Sequence, residues 1–348
     1  MKKSLLILLF TCWALFFAAF RPVMPFAAET AAFPDGTPVT GGRILMGTIG
    51  EPSNLIPYMA SDSASGEITG LLYVAPLKYD KDLNVVPWAA ASYEVVLALV
   101  QACENLGLRY HVGTGCTRAS LLRDDIRWED GVPLTADDVE FTYKLMIDPK
   151  TPTAYSGDFL AIESFKKTGR LSFEVRYAKP FARSLMTWMG AILPKHVLEG
   201  QDIMTTPVAR KPIGAGPYRL AKWDAGSMLT LTASDTYFEG RPNLDEVVYR
   251  IIPDPSTMFL ELKAGKLDMM SLSPQQYLRQ TQGPQWERDW RKYRYLSFSY
   301  TFLGFNLEHP FFKDVRVRRA ISMAIDRQSL IDGVLLGQGV PTVGPYKP

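Results

Sequence analysis

Pro-Ile-Gly-Ala-Gly-Pro-Tyr occupies residues 212–218 and is the most informative stretch of the sequence. Glycine permits backbone angles that other residues avoid, whereas proline fixes its own φ angle. Gly214 and Gly216 therefore predict either a hinge or a rigid turn, and the pattern leaves both open. The stretch is not a phosphate-binding loop, because the spaced glycine pattern and a following Lys-Ser or Lys-Thr pair are absent.

Further blocks of sequence accompany this loop in a fixed order. Tyr-Phe-Glu-Gly-Arg-Pro-Asn-Leu-Asp occupies residues 237–245, and Tyr-Arg-Ile-Ile-Pro-Asp occupies residues 249–254. The other blocks lie at residues 128–139, 262–268, 312–320 and 324–327. Together they resemble the extracellular solute-binding proteins of family 5, which serve peptide, oligopeptide and nickel importers. The resemblance begins near Arg43 and continues to the last residue.

The resemblance implies an α/β, periplasmic-binding-protein-like two-lobed fold with mixed sheets and an incomplete second lobe. The implied domains are a signal peptide (1–28), a discontinuous first lobe (43–68 and 207–290), a subdomain inserted into it (69–206) and the start of a second lobe (291–348). Family members continue well past the equivalent of residue 348. We therefore expect exposed sheet edges and apolar surface, and hence poor solubility of this chain alone.

The implied function is reversible peptide binding without catalysis. The resemblance predicts a periplasmic, monomeric protein that closes around a peptide and delivers it to the permease subunits of an ABC importer, with no cofactor. The same scaffold with another solute, a nickel chelate or a sugar, is an alternative. In the family, the chain returns to the first lobe near the 212–218 loop, so Gly214 and Gly216 are the candidate hinge, with a rigid turn as the alternative.

Composition sets limits that agree with this interpretation. The chain has 348 residues, of which 47% are hydrophobic and 21% are charged, so it can form two or more domains with real cores. Its net charge is only +2. Nucleic acid is therefore not an expected partner, since nucleic-acid-binding domains carry a strongly basic face.

The N-terminus has the pattern of an export signal. Lys2 and Lys3 precede an apolar run over residues 5–20. A positive region followed by an apolar region is typical of a secretory signal peptide, and the run is shorter than the ~20 residues of a membrane span. We expect export to the periplasm, with an uncleaved membrane anchor as the alternative.

Export would permit a disulfide between Cys103 and Cys116, the two cysteines that remain after signal removal. The intervening glycines would let the chain turn back on itself. Two unpaired thiols are the alternative. One histidine between them, His111, gives too few ligands for a closed zinc site, so we predict no metal.

A polar cluster at Ser61, Asp62, Ser63 and Ser65 precedes an apolar run over residues 68–75 that predicts a helix. Small polar side chains at a helix N-terminus satisfy its free amides. The cluster therefore predicts a helix cap, and ligand contact at the edge of a cleft is the alternative.

An aromatic stripe predicts a second candidate contact. It comprises Tyr293, Tyr295, Phe298, Tyr300, Phe302 and Phe305. Alternation in an extended segment would separate these rings onto two faces. They either pack between a sheet and helices or line the cleft, and the family passes between lobes near here. We take Tyr300 and Phe302 as candidate ligand contacts.

Helix and strand signals are mixed and do not alternate regularly, which indicates α/β or α+β with discontinuous domains. Thr135 and Asp138 predict a capped helix start, and Asp148-Pro149 its end. Alternating apolar residues over 171–177 predict a half-buried strand. Further strands are predicted over 43–49, 228–232 and 247–252, and further helices over 256–264 and 315–325, with Asp326 capping another.

Catalytic patterns are thin in the sequence. Residues 164–167 match Ser-x-x-Lys, but the companion motifs of that enzyme class are missing. The histidines His111, His196 and His309 are scattered, and neither Gly-x-Ser-x-Gly nor His-Glu-x-x-His occurs. A secreted hydrolase acting on peptides or cell-wall fragments would need a nucleophile with its base, or a metal shell. That function class remains the less favoured alternative.

Overall fold

The computed structural model describes residues 38–97, 116–179, 182–295, 300–342 and 344. The described chain divides into two compact units: residues 38–271, here the first unit, and the described residues from 272 onward, here the second unit. The predicted signal peptide and Cys103 lie outside the described residues, as does the side chain of Cys116, so the disulfide stays a prediction. The predicted lobe boundaries also stay predictions.

The first unit contains a four-stranded mixed sheet. Its strands are β1 (Arg43–Thr48), β8 (Tyr218–Asp224), β9 (Met228–Ala233) and β10 (Glu246–Ile251). The strand order is β1-β10-β9-β8, with β1 parallel to β10 and the other pairs antiparallel. The strands predicted over 43–49, 228–232 and 247–252 are confirmed to within a residue or two.

A second four-stranded sheet and a short ribbon lie in the same unit. The sheet is antiparallel with the order β4-β5-β7-β6, and the ribbon pairs β2 with β3. The strands are β2 (Leu77–Tyr79), β3 (Val85–Pro87), β4 (Ala90–Leu97), β5 (Cys116–Leu122), β6 (Ile162–Lys167) and β7 (Ser172–Tyr177). The predicted alternation holds in β7, where Phe173, Val175 and Tyr177 are buried.

Five α-helices complete the described part of the first unit. They are α1 (Ser63–Leu72), α2 (Ala136–Ile147), α3 (Ser156–Leu160), α4 (Lys195–Leu198) and α5 (Pro255–Lys263), with 3-10 turns at Ala182–Ser184, Met186–Met189 and Pro207–Ala209. The capping box of Thr135 and Asp138 is confirmed at the start of α2. Gly265 follows α5 with a φ of +68°, which favours glycine.

The helix expected over 68–75 begins five residues earlier than its apolar run. The cause is Asp62, which is the N-cap of α1 and accepts a hydrogen bond from Ser65 N at 2.7 Å. The helix then ends at Leu72, and Tyr73 is already extended. The cap rather than the apolar run therefore sets the bounds of this helix.

The 212–218 loop packs against the end of α1. Gly216 N donates a hydrogen bond to Leu72 O at 2.8 Å, and Glu129 N donates to Gly214 O at 2.8 Å. A Cβ atom on either glycine would fall inside van der Waals contact with the backbone of Leu72. Neither glycine has a positive φ. Close approach, and not an unusual backbone angle, is thus the reason for glycine here. The hinge remains a prediction.

The second unit is helical and sparsely packed in its described part. It contains a π-helical turn (Gln276–Gln280), α6 (Pro284–Asp289), α7 (Pro310–Lys313), α8 (Val315–Ala324) and α9 (Arg327–Gly333). Asp326 caps α9, as predicted. Ile331 is the one apolar side chain that is buried among the described residues of this unit. No helix of the described ranges is both long enough and apolar enough to cross a membrane.

Candidate functional site

The first unit carries a pocket of about 430 Å³. Its walls are mainly aromatic and thioether side chains, from Tyr58, Trp88, Tyr155, Phe159, Met186 and Met189. Polar groups enter from Asn54, Ser65, Thr69, Asp158, Arg183 and Thr187. An apolar hollow of this size with a few polar groups is the usual form of a small-ligand site.

Buried residues and hydrogen bonds fix the loop that precedes α1. Leu55 and Ile56 are fully buried, and Leu55 N donates to Ala209 O at 3.0 Å. Asn54 Oδ1 accepts from Ile56 N at 2.7 Å, which closes a tight side-chain turn. The next residues, Pro57 and Tyr58, line the pocket, and the chain that precedes them is fixed.

Tyr58 is held at both its backbone and its ring. Thr153 Oγ1 donates to Tyr58 O at 2.8 Å, and the Tyr58 hydroxyl donates to Ala191 O at 2.8 Å. Burial raises the pKa of this hydroxyl, so it stays protonated as a donor. The rings of Tyr155 and Phe159 each lie 6.0 Å from that of Tyr58, edge to face.

The charged side chains that line the pocket, those of Asp158 and Arg183, form an ion pair. Arg183 Nη2 lies 2.8 Å from Asp158 Oδ2, and both residues line the pocket. The Arg183 side chain is 63% exposed and that of Asp158 is 23% exposed. An exposed ion pair of this kind contributes little to stability, so the two charges remain available to a ligand.

Trp88 is fixed by a network that includes the 237–245 block. Its Nε1 donates to Tyr237 Oη at 3.0 Å and to Glu239 Oε2 at 3.2 Å. Lys78 Nζ pairs with Glu239 Oε1 at 2.7 Å and lies 5.3 Å from the centre of the Trp88 ring. Three side chains, those of Lys78, Tyr237 and Glu239, thus set the position of one residue that lines the pocket.

The predicted polar cluster serves first as a cap. Asp62 Oδ2 accepts from Ser53 Oγ at 2.6 Å and from Ser65 Oγ at 2.8 Å. Partial burial of the carboxylate opposes these bonds, but together they lower the pKa of Asp62. The cap prediction is confirmed. Of the four predicted residues Ser65 lines the pocket, whereas Asp62 and the exposed Ser61 and Ser63 do not.

Tyr300 and Phe302 lie in the second unit. Their ring centres are 5.5 Å apart, and the two side chains are 48% and 72% exposed. Residues 300–306 form no strand, so the alternation does not sort them onto two faces of a sheet. The alternative that these two rings pack inside a core is therefore wrong for the described chain. Ligand contact by Tyr300 and Phe302 stays a prediction. Phe298 lies outside the described residues.

The described metal-binding side chain types form no cluster. Among the described residues no group of three or more His, Cys, Asp or Glu side chains could hold a metal ion. His196 Nε2 lies 2.7 Å from Asp130 Oδ2, and His309 Nδ1 accepts from Phe311 N at the start of α7. Both described histidines therefore have local structural partners.

Sequence reasoning missed Tyr58, Trp88, Tyr155 and the two methionines. They come from separate loops and turns, so no periodicity connects them. The one available signal was the aromatic residue after Pro57, directly before the polar cluster. This aromatic residue, Tyr58, could have suggested that the loop before the polar cluster contributes to the same site as Ser65.

Comparison with known proteins gives a consistent result. Residues 84–348 match the model of the bacterial extracellular solute-binding proteins, family 5 (middle). The chain is 31% identical over 321 residues to the oligopeptide-binding protein AppA of Bacillus subtilis, covering 90% of this chain and 55% of that protein. It is 30% identical to protein XP55 of Streptomyces lividans, covering 92% and 55%. The chain therefore spans about half the length of these relatives.

Solved structures show the same relationship. The structure of Bacillus subtilis AppA with a nonapeptide superposes with a TM-score of 0.75 at 29% identity, covering 90% of this chain and 59% of that one. NikZ of Campylobacter jejuni, in complex with Ni(L-His), gives 0.71 at 25% identity, covering 85% and 55%. The predicted mixed α/β fold is confirmed, and the chain belongs to the bacterial extracellular solute-binding proteins of family 5.

Proposed function

We propose that this chain is part of an exported, peptide-binding component of an ABC importer. The observation that carries the proposal is the pocket of about 430 Å³, apolar on its walls and polar at a few points, in a chain of family 5. Pockets of this kind hold varied side chains, while polar groups and ordered water satisfy the peptide backbone.

The proposed mechanism is binding coupled to a conformational change. A peptide that binds a closed form more tightly than an open form shifts the population toward the closed form, which the permease would then recognise. Gly214 and Gly216 are the proposed hinge. Ser61, Asp62, Ser63, Ser65, Tyr300 and Phe302 remain proposed ligand contacts, of which Ser65 lines the pocket.

The cellular setting follows the same proposal. Residues 1–28 would direct export to the periplasm, where a Cys103–Cys116 disulfide is chemically permitted. The protein of which this chain is a part would act as a monomer, without cofactor and without catalysis. The sequence shows no complete catalytic pattern, which supports this last point.

Calorimetry on the full chain tests the proposal. We expect binding of short peptides, and no binding of a nickel–histidine complex or of oligosaccharides. Met189→Asp places a charge at a partly buried position of the apolar wall and should weaken peptide binding at least tenfold. The matched control is Leu160→Asp, at a 63% exposed position of α3 that does not line the pocket.

Three outcomes would overturn the proposal. They are binding of nickel–histidine or sugar in place of peptide, equal loss in both variants, and turnover of a peptide by the purified protein. The first outcome would keep the scaffold and change the solute. The third would favour the hydrolase alternative.

A further inference from the structure

Tyr58 has a backbone conformation that aromatic residues rarely adopt. Its φ angle is +71°, in the left-handed region. Among the described residues two other non-glycine residues share a positive φ, Leu83 and Leu336, and neither lines the pocket. Such strain persists only where surrounding structure imposes it, and it is concentrated at functional sites.

The surroundings of Tyr58 impose this conformation from distant parts of the chain. The backbone carbonyl is bound by Thr153, 95 residues away, and the hydroxyl is bound to Ala191, 133 residues away. The fully buried Leu55 and Ile56 fix the preceding chain. One segment therefore holds the backbone of Tyr58 and another holds the end of its ring.

The Tyr58 ring leaves no space for a side chain at Gly190. A Cβ atom at Gly190 would fall on the Tyr58 hydroxyl, well inside contact distance, and 3.0 Å from Cε1 and Cζ. Gly190 itself has φ −80° and ψ 150°, an extended conformation that any residue adopts. The backbone thus does not need glycine at this position, but the Tyr58 side chain does.

The position of Tyr58 in turn sets the positions of two other wall residues. Tyr155 packs against it at an interplanar angle of 67° and Phe159 at 90°. All three rings line the pocket. A shift of the Tyr58 ring would therefore change the shape of the pocket and not one contact alone.

We propose that Tyr58 is a specificity-determining residue, whose ring, locked by Gly190 and Ala191, limits the size of the ligand side chain that the pocket admits. This inference rests on the proposed peptide-binding function. It predicts that small and medium apolar side chains bind better than tryptophan. Differences of one or a few carbon atoms in an apolar pocket change affinity about tenfold or more.

The test uses calorimetry with three tripeptides, Ala-Ala-Ala, Ala-Leu-Ala and Ala-Trp-Ala. Wild type should bind the leucine peptide more tightly than the tryptophan peptide. Tyr58→Ala should shift the ratio of the two dissociation constants toward tryptophan by about tenfold. The matched control is Gly157→Ala in α3, whose new Cβ meets nothing within 4 Å, and which should leave the ratio unchanged.

A double-mutant cycle tests the lock, and its stability measurement needs no ligand. Gly190→Ala should lower the unfolding midpoint and change the peptide ratio. Adding Tyr58→Phe removes the oxygen that the new Cβ meets, so it should restore part of both losses. Tyr58→Phe alone should have a smaller effect than Gly190→Ala, because it keeps the ring and removes one hydrogen bond.

The outcomes separate this inference from the proposed function. Additive effects in the cycle would overturn the lock, and an equal change in affinity for all three peptides would overturn the size limit. If wild type binds no peptide, the proposed function fails. The size limit is then decided with 1-anilinonaphthalene-8-sulfonate, an anionic dye with a large apolar ring system: stronger binding to Tyr58→Ala supports the limit, and equal binding overturns it.

Discussion

Lys78 Nζ and Glu239 Oε1 lie 2.7 Å apart, although 161 residues separate them in the chain. The other carboxylate oxygen of Glu239 accepts hydrogen bonds from Tyr237 Oη at 2.6 Å and from Trp88 Nε1 at 3.2 Å. The contact joins the short ribbon β2–β3 to the 237–245 block. One carboxylate thus fixes the position of a residue that lines the pocket.

Glu239→Gln should reduce the free energy of unfolding by about 0.5–1.5 kcal/mol, because a charged acceptor of several hydrogen bonds is replaced by a neutral one. Urea denaturation measures the change. The two side chains are 35% and 40% exposed, so added salt should reduce the difference. The emission of Trp88 should also change, which a Trp88→Phe background would verify.

The control for this variant is Asp224→Asn. It removes an exposed ion pair of equal length, Lys222 Nζ to Asp224 Oδ2 at 2.7 Å, that joins residues within one strand. Its effect should be close to zero, as is usual for exposed pairs. Equal effects of the two substitutions would contradict a special role of Glu239.

Gly214→Ala should lower the free energy of unfolding by about 1–3 kcal/mol, the usual range for overpacking. The new Cβ would meet the carbonyl of Leu72, a backbone atom at the end of α1 that cannot rotate away. Denaturant unfolding measures the loss. Weaker peptide binding should accompany it, because α1 residues line the pocket.

Gly66→Ala is the matched control, within α1 itself. Its Cβ meets nothing within 4 Å, and glycine in a helix is less stable than alanine. The variant should therefore gain about 0.5–1 kcal/mol. If Gly214→Ala were equally stabilising, the conclusion that the 212–218 loop needs glycine for its close approach to α1 would be wrong.

Local signals predicted much of the fold. The caps at Thr135 and Asp326 and the alternation in β7 depend on residues within a few positions of one another, so the sequence displays them directly. The start of α1 was misplaced for a related reason. The apolar run begins at residue 68, whereas the helix begins where Asp62 caps it, because the cap decides where a helix begins.

The pocket could not be predicted in the same way. Tyr58 meets Ala191 across 133 residues, and Gly190 is explained only by the hydroxyl that lies against it. Trp88 likewise depends on Glu239, whose block carried the family resemblance but no visible contact. Contacts between distant loops leave no periodicity in the sequence.

Asp62→Asn should show a pH-dependent loss of stability. Asparagine caps helices as well as aspartate does, but its amide nitrogen cannot accept the bonds from Ser53 and Ser65. The loss at neutral pH should be about 0.5–1.5 kcal/mol. Urea unfolding at a series of pH values measures it.

The direction follows from the lowered pKa of Asp62 in the folded state. The stabilisation is fully present above the unfolded value of about 3.9, and it is lost as pH falls through the lower folded value. The difference between wild type and Asp62→Asn should therefore shrink below about pH 4. Ser61→Ala, at an exposed neighbour, should give a small and pH-independent effect; a constant loss in Asp62→Asn would contradict the argument.

The apolar surface of the second unit should make this chain self-associate. Phe302 is 72% exposed and Met323 is 86% exposed, while few apolar side chains of the unit are buried in its described part. Exposed apolar patches promote association in proportion to the area that contact removes from water. Sedimentation velocity should show oligomers at micromolar concentration. Phe302→Ser with Met323→Ser should shift the population toward monomer.

The same double variant should leave the unfolding midpoint of the first unit nearly unchanged, since surface substitutions away from a core usually cost little. Leu260→Ser is the control, because Leu260 is 63% exposed on α5 of the first unit and should not affect association. A monomeric wild-type chain would show that the second unit covers its apolar side chains in solution. Buried side chains would also make the unfolding of the second unit cooperative. Calorimetry should then detect a second unfolding transition, from this unit.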